Sequence, residues 1–228
     1  MSVTRAFLFA AALTGVASSA AAQSFEQRCL SEIKPSFIIR SAHSGYRVDN
    51  TVSTKSLITR HIHASSGDIT LGLTSATSRV QMDTDGKVLL DENSPRECLA
   101  PEIEVELRYL PLHVYVAREF NPAGCPYRTV LEHEMEHVHL YLENLPKVEQ
   151  RIRAALEERY NGRPIFAPRG QALSALNEQL DHWLWPMIKA EMKQVERAQA
   201  DLDSWDEQHR LSMACHGEVA YYVGGRYY

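Results

Sequence analysis

The sequence predicts an α+β fold: an amino-terminal β-sheet followed by a helix carrying a His-Glu-x-x-His motif and then a long helical hairpin. Three observations predict it. Residues Ile103 to Tyr109 alternate apolar and polar at a period of two, the mark of a strand with one buried face. From Val130 onward, apolar residues instead recur at helical spacing, as in Leu131, Met135, Val138 and Leu142. Strand signals fill the first half of the chain and helix signals the second, an order that separates the two kinds of element within the fold.

Each element follows in chain order. Arg5, the apolar run Ala6 to Val16 and the small residues Ala20-Ala21-Ala22 form an export leader, so the mature chain is expected to begin at Gln23. Residues 23–228 then make one domain, strand-rich over 30–125 and helical over 128–215. Short β-branched or aromatic runs at Ser36–Ile39, Tyr46–Val48 and Ile69–Leu71 are expected strands, separated by turn signals at Gly45, Gly67-Asp68 and Asp85-Gly86. Leu110-Pro111-Leu112 interrupts the clearest strand, and Val114-Tyr115-Val116 is expected as its hairpin partner. Thr129 with Glu132 forms a capping box that predicts a helix start near Val130. Pro146 is expected to end or kink that helix. A second periodic segment (Val148, Ile152, Ala155, Leu156) stops at Asn161-Gly162, and a third runs from about Ala172 to beyond His209, with a kink at Pro186.

Composition narrows the function. The formal charge of −5, without long charge runs, excludes a basic nucleic-acid footprint. After the leader, no stretch approaches the roughly 20 apolar residues of a spanning helix, so no membrane anchor is expected once the leader is cleaved. A secreted or periplasmic location follows, and four cysteines there are expected as two disulfides. Three pairings exist. Cys98 and Cys125 flank one segment and Cys29 and Cys215 lie near the two ends, which favours Cys98–Cys125 with Cys29–Cys215.

The chemistry is carried by His133-Glu134-Met135-Glu136-His137. Residues four apart on a helix share a face, so both imidazoles can grip one tetrahedral Zn2+. Glu134 sits beside the ion as general base, taking a proton from activated water and passing it to a leaving amine. The expected partner is a peptide or protein substrate, and the expected activity is that of a zinc metallopeptidase. Two other readings stand beside it: a non-catalytic, zinc-stabilised binding protein of the envelope, and a structural helical hairpin in which the motif is accidental.

Residues 103–145 resemble the predicted secreted Zn-dependent protease family, a bacterial domain of unknown function placed in the zincin superfamily. The resemblance lies in the leader, the two-strand run, the short loop with a cysteine, and Leu131-Glu132-His133-Glu134-Met135-Glu136-His137-Val138. That family carries a second motif, Tyr-Asp-x-x-Thr-x-His-Gly, after a long helical stretch. Leu202-Asp203-Ser204-Trp205-Asp206-Glu207-Gln208-His209 falls at the corresponding place, without the Tyr, Thr or Gly and with the spacing changed by one. The resemblance implies a zincin-like fold and a peptidase-like zinc site.

A third ligand is needed. A metzincin-like site would use Glu143, ten residues beyond His133, but Leu140 stands where that family places a turn-forming Gly. A gluzincin-like site would use a Glu on a following helix, here Glu178. If the helices flanking Asn161–Gln171 pair antiparallel about Phe166, His137 faces Val195 and His133 faces Gln199. Glu178 then lies on the order of 25 Å along the axis from the site. This count favours residues 195–209, with His209 as the third ligand and Asp203 or Asp206 orienting an imidazole. Glu136 is read as solvated or as a carboxylate orienting a ligand, His139 as a surface or capping histidine, His61 and His63 as an exposed strand face, Trp183, Trp185 and Trp205 as a helix–helix seam, and Tyr221-Tyr222 and Tyr227-Tyr228 as a docked tail.

Overall fold

The computed structural model describes residues 23–60 and 70–224. The leader, the His61/His63 pair, the Gly67-Asp68 turn, Ile69 and Tyr227-Tyr228 lie outside those residues. The chain opens with α1 (Phe25–Glu32), started by a capping box in which Ser24 and Gln27 exchange hydrogen bonds. It continues through β1 (Ser36–His43), β2 (Tyr46–Asp49), α2 (Thr54–Arg60), β3 (Gly72–Ser75), β4 (Ser78–Leu90), β5 (Arg96–Tyr109) and β6 (Leu112–Val116). Then follow α3 (Cys125–Tyr160), β7 (Ile165–Pro168), α4 (Ala172–Leu202), α5 (Trp205–Met213), a 3-10 turn (Cys215–Gly217) and α6 (Glu218–Gly224). The mixed α+β class is as the sequence predicts.

β5 is the spine. It pairs parallel with β1, antiparallel with β4 along its length, and antiparallel with β7 at its start. Its alternation is realised: Ile103, Val105, Leu107 and Tyr109 are buried, while Glu102, Glu104 and Glu106 lie on the opposite, wetter face beside Lys87, Arg40 and Arg108. The expected hairpin between β5 and β6 does not form. Pro111 bends the strand without reversing it, and β6 continues into a second sheet of order β2-β6-β3. The continuity is visible in register. Ser36 pairs with Glu102 and Tyr46 with Leu112 at the same sequence offset, and Leu112 N–H donates to Gly45 O across the bend (3.0 Å).

Other expectations shift as well. The strand expected at 69–71 is found at Gly72–Ser75. Asp85-Gly86 is no turn but the middle of β4, where Gly86 pairs with Pro101. A Cβ on Gly86 would meet the Leu99 side chain at 2.6 Å, so glycine permits the close approach of the two strands.

The helices cover one face of the sheet. α3 starts at Cys125, earlier than the capping box implied, with Gly124 as N-cap and Pro126 in the first turn, where a missing N–H costs nothing. It then runs 36 residues, continuing past Pro146, and α4 runs 31 residues past Pro186, so neither proline ends its helix. Val138, Tyr141, Leu145, Val148, Ile152 and Leu156 of α3 pack with Leu176, Leu180, Leu184 and Ile188 of α4 and the inner face of β5. Each such Leu, Ile or Val contributes about 1.5–3 kcal/mol by leaving water. α4 is pinned at its start by the buried carboxylate of Glu97 on β5, which accepts from Ala172 N–H at 2.8 Å. Burial pushes the Glu97 carboxyl up, but the N–H groups of Gly170, Ala172 and Gln171 outweigh it and hold the carboxyl below its usual range.

The disulfides are Cys29–Cys98 and Cys125–Cys215, not the expected pairs. The reason is extension. From Cys98 to Tyr109 the chain is continuous strand, about 36 Å at 3.3 Å per residue, before it reaches β6 and α3. Cys98 and Cys125 thus lie at opposite ends of the sheet. Cys98 meets α1 instead, and Cys125 meets the segment after α5. No helix among the described residues is long and apolar enough to cross a membrane.

Candidate metal centre

α3 is buried on more than one side, so the motif does not lie on a solvated face. His133, Glu134 and His137 are 6%, 4% and 6% exposed. Opposite them, α4 ends at Leu202, and Ser204 caps a new helix by accepting from Glu207 N–H. That break leaves Asp203 as a helix C-cap facing both histidines. Its Oδ1 lies 3.1 Å from His133 Nε2 and 3.1 Å from His137 Nε2, and the two Nε2 atoms are 3.2 Å apart.

The remaining ring nitrogens are occupied. His133 Nδ1 lies 3.1 Å from Glu207 Oε1, and His137 Nδ1 lies 2.6 Å from Gln199 Oε1. Gln199 Nε2 donates to the His137 carbonyl (3.3 Å), which fixes its amide with the oxygen toward the ring. A carboxylate and an amide oxygen only accept, so each Nδ1 carries hydrogen and each neutral ring turns its Nε2 lone pair inward. Two lone pairs and a carboxylate oxygen then converge, an arrangement that repels itself unless a cation lies among them. Tetrahedral bonds of about 2.0–2.1 Å separate neighbouring ligand atoms by about 3.3–3.4 Å, close to the spacing found here. His133, His137 and Asp203 together could hold a metal ion.

Protonation states express the same preference for positive charge. Burial opposes the imidazolium of His137, yet the bond to Asp203 and the charge of Glu134 outweigh it and push the group up to about 9. His133 is raised on the same balance of burial against Asp203 and Glu134. Burial works against the Asp203 carboxylate too, but the two imidazoles hold it far below the usual range. Burial raises Glu134, opposed by His137, His133 and the Thr74 hydroxyl.

Glu134 is placed by β3. Thr74 Oγ1 lies 2.8 Å from Glu134 Oε2 and 3.0 Å from its backbone oxygen. Gly72 lies over the carboxylate: a Cβ there would stand 2.4 Å from Glu134 Oε1 and 2.7 Å from Val130 Cγ1.

The sequence reading placed His133, Glu134 and His137 together, and they are together. His209 is a correction: it is exposed and stacks on Trp205, ring centroids 5.3 Å apart and planes 2° from parallel. Helical phase explains it, because on α5 residue 209 shares the face of 205, whereas Glu207 points to His133 from the far side. Trp205 is itself 74% exposed rather than part of a seam, while Trp183 does sit in the α3–α4 seam, donating to Tyr160 Oη at 3.2 Å. Asp206, Glu143 and Glu178 are exposed and take no part, and Glu136 and His139 are solvated as expected. Tyr222 docks on Phe120 (4.8 Å), whereas Tyr221 is exposed. Gln199, Glu207, Gly72 and Thr74 carried no assigned role. A signal for the first pair was present: Ser204-x-x-Glu207 is a helix-start pattern, and it marks the break that frees Asp203.

No protein-family model, curated protein or solved structure matches the chain.

Proposed function

We propose that the chain is an exported zinc-dependent peptidase of the zincin kind, with His133, His137 and Asp203 as ligands and Glu134 as general base. The observation that carries this reading is the convergence of three ligand atoms 3.1–3.2 Å apart, with both spare ring nitrogens engaged by Glu207 and Gln199. Two imidazoles and one carboxylate suit zinc, and three protein ligands leave one coordination position for chemistry. When bound, zinc supplies Lewis acidity: it polarises a carbonyl and lowers the pKa of water from 15.7 to about 7. The rest belongs to the chain. Glu207 and Gln199 keep each imidazole in the tautomer that presents Nε2. Burial raises the Glu134 carboxyl, which favours its taking a proton from water and passing it to the leaving amine. The site opens to solvent on the side of Asp203, whose side chain is 44% exposed. The resemblance of residues 103–145 to the predicted secreted Zn-dependent protease family agrees with this reading.

One observation favours a second reading, a zinc-stabilised protein without turnover. Both Glu134 oxygens are packed against β3, one toward Thr74 and the other under Gly72. Reconstitution with zinc, followed by metal analysis and a peptide-library digest, separates the two. A peptidase binds one zinc and cleaves, and Glu134→Gln keeps the zinc while losing cleavage. Zinc without cleavage across the library favours the second reading, and absence of metal refutes both.

A further inference from the structure

Glu207 reaches His133 from α5, a helix that buries none of its residues. α5, the 3-10 turn and α6 pack chiefly on one another. Among the described residues, their main ties to the body are few. They are the Glu207–His133 bond, the Gln208 Nε2 bond to Asp203 O (3.0 Å), the Thr129–Cys215 contact (3.5 Å), the buried Val219, the Tyr222–Phe120 contact and the Cys125–Cys215 disulfide.

The two disulfides differ in accessibility. Cys29 and Cys98 are both fully buried, whereas Cys125 is exposed and Cys215 half-buried. Exposed disulfides are the labile ones. Cys125 opens α3 two turns before His133, and Cys215 follows α5 directly, so this bond fastens the helix bearing Glu207 to the helix bearing both histidines. The chain at Cys215 and His216 is held at φ 55° and 58°, left-handed values that side chains resist.

We propose that Cys125–Cys215 is a redox clasp on the metal centre, whose reduction by a dithiol frees α5, withdraws Glu207 from His133 and weakens metal binding. The proposal rests on the reading of His133, His137 and Asp203 as metal ligands. One thiolate of the reductant attacks the sulfur of exposed Cys125 and displaces Cys215 as a thiolate. The second thiol of the reductant then displaces Cys125. The reductant leaves as a disulfide, two electrons pass to the protein, and both cysteines end as thiols. Asp203 closes α4 rather than riding on α5, so the ligand set persists and the effect is graded: loss of a carboxylate that orients a ligating imidazole costs about 10–100-fold in affinity.

The test measures zinc affinity by competition with a chromophoric chelator, alongside alkylation mapping under limiting reductant. Cys125 and Cys215 are expected to be alkylated while Cys29–Cys98 stays intact. Cys125→Ser/Cys215→Ser is expected to bind zinc about 10–100-fold more weakly than the parent. In a Glu207→Ala background the serine pair adds no further loss, because the clasp acts through Glu207. Should the serine pair disturb folding, zinc release from the parent chain on phosphine reduction gives the same readout. Equal affinity in the parent and the serine pair, equal zinc release with and without reductant, or prior reduction of Cys29–Cys98, overturns the clasp. A parent chain that binds no zinc overturns the ligand reading itself, and the clasp with it.

Discussion

Replacing Asp203 with Asn keeps the shape of the side chain and removes its charge, which isolates what the carboxylate does at the centre. In the metal-free chain Asp203 is the largest influence raising His137, which reaches about 9 against an ordinary 6.5 although burial works against it. That net shift corresponds to about 3 kcal/mol of preference for a positive charge at 1.36 kcal/mol per pKa unit. Because burial opposes it, the favourable contributions exceed that figure, and Asp203 supplies the largest of them. A metal ion in the same place feels the same field and also loses an anionic ligand. Asp203→Asn is therefore expected to weaken zinc binding by two orders of magnitude or more, at about 1.4 kcal/mol per tenfold. His137, followed by its ring proton resonances in the metal-free variant, should titrate below 9, since burial is then opposed by Glu134 and Gln199 without Asp203. Chelator competition reads the first quantity and the NMR titration the second. An Asp203→Asn chain that binds zinc within threefold of the parent would falsify the ligand assignment, and an unmoved His137 titration would refute the electrostatic argument separately.

Two further outcomes follow from the same geometry. In Gly72→Ala the new methyl meets Glu134 Oε1 at 2.4 Å and Val130 Cγ1 at 2.7 Å, so overpacking should cost about 1–3 kcal/mol in urea denaturation; unchanged stability would mean that β3 does not press on the motif. A metal ion held by His137 would compete with protons there, and the folded pKa of His137 lies above its unfolded value. In the metal-free chain the protonated form therefore contributes stability that is complete below about pH 6.5 and is lost as pH rises through about 9. Apparent zinc affinity should rise across that same window, and a flat profile would contradict the shift.

How much of this was legible in the sequence depends on how local each signal is. The inner face of β5 reads directly from the alternation Ile103-Glu104-Val105-Glu106-Leu107, because side chains on a strand take opposite faces. His133, Glu134 and His137 read directly because helix pitch alone brings positions 133 and 137 together. β4 was hidden by Asp83, Asp85 and Gly86, poor strand residues tolerated where its alternate side chains meet solvent and where Gly86 must clear Leu99. The disulfides were illegible because separation along the chain says nothing of separation in space: Cys98 lies nearer Cys29, across 69 residues, than Cys125, across a strand's length. His209 was favoured on the chemistry of imidazole and the loose second motif. The deciding fact was a change of helical phase at Ser204, which turns Asp203 and Glu207 inward and His209 out.

The symmetric hairpin count missed by one helical turn, and the miss shows what sets the register of the centre. Counting about Phe166 put Gln199 opposite His133; in the structure Gln199 serves His137, and Asp203 serves His133. The four residues of difference arise at the far end of the hairpin. There β7 pairs with the start of β5, Leu99 against Ile165 and Arg96 against Pro168, and carries the chain past the end of α3 before α4 begins. Tyr160, the last residue of α3, accordingly contacts Gln179 and Trp183, two turns or more into α4. Glu97 then fixes Ala172 at that advanced starting point. α4 is one continuous helix of 31 residues, about 45 Å at 1.5 Å per residue, so the register set at its first turn carries through to its last. A slip of one turn would set the neutral amide of Gln199 opposite His133 and carry Asp203 beyond the histidines. The candidate ligand set is thus specified jointly by the motif on α3 and by a buried carboxylate on β5 at the other end of α4.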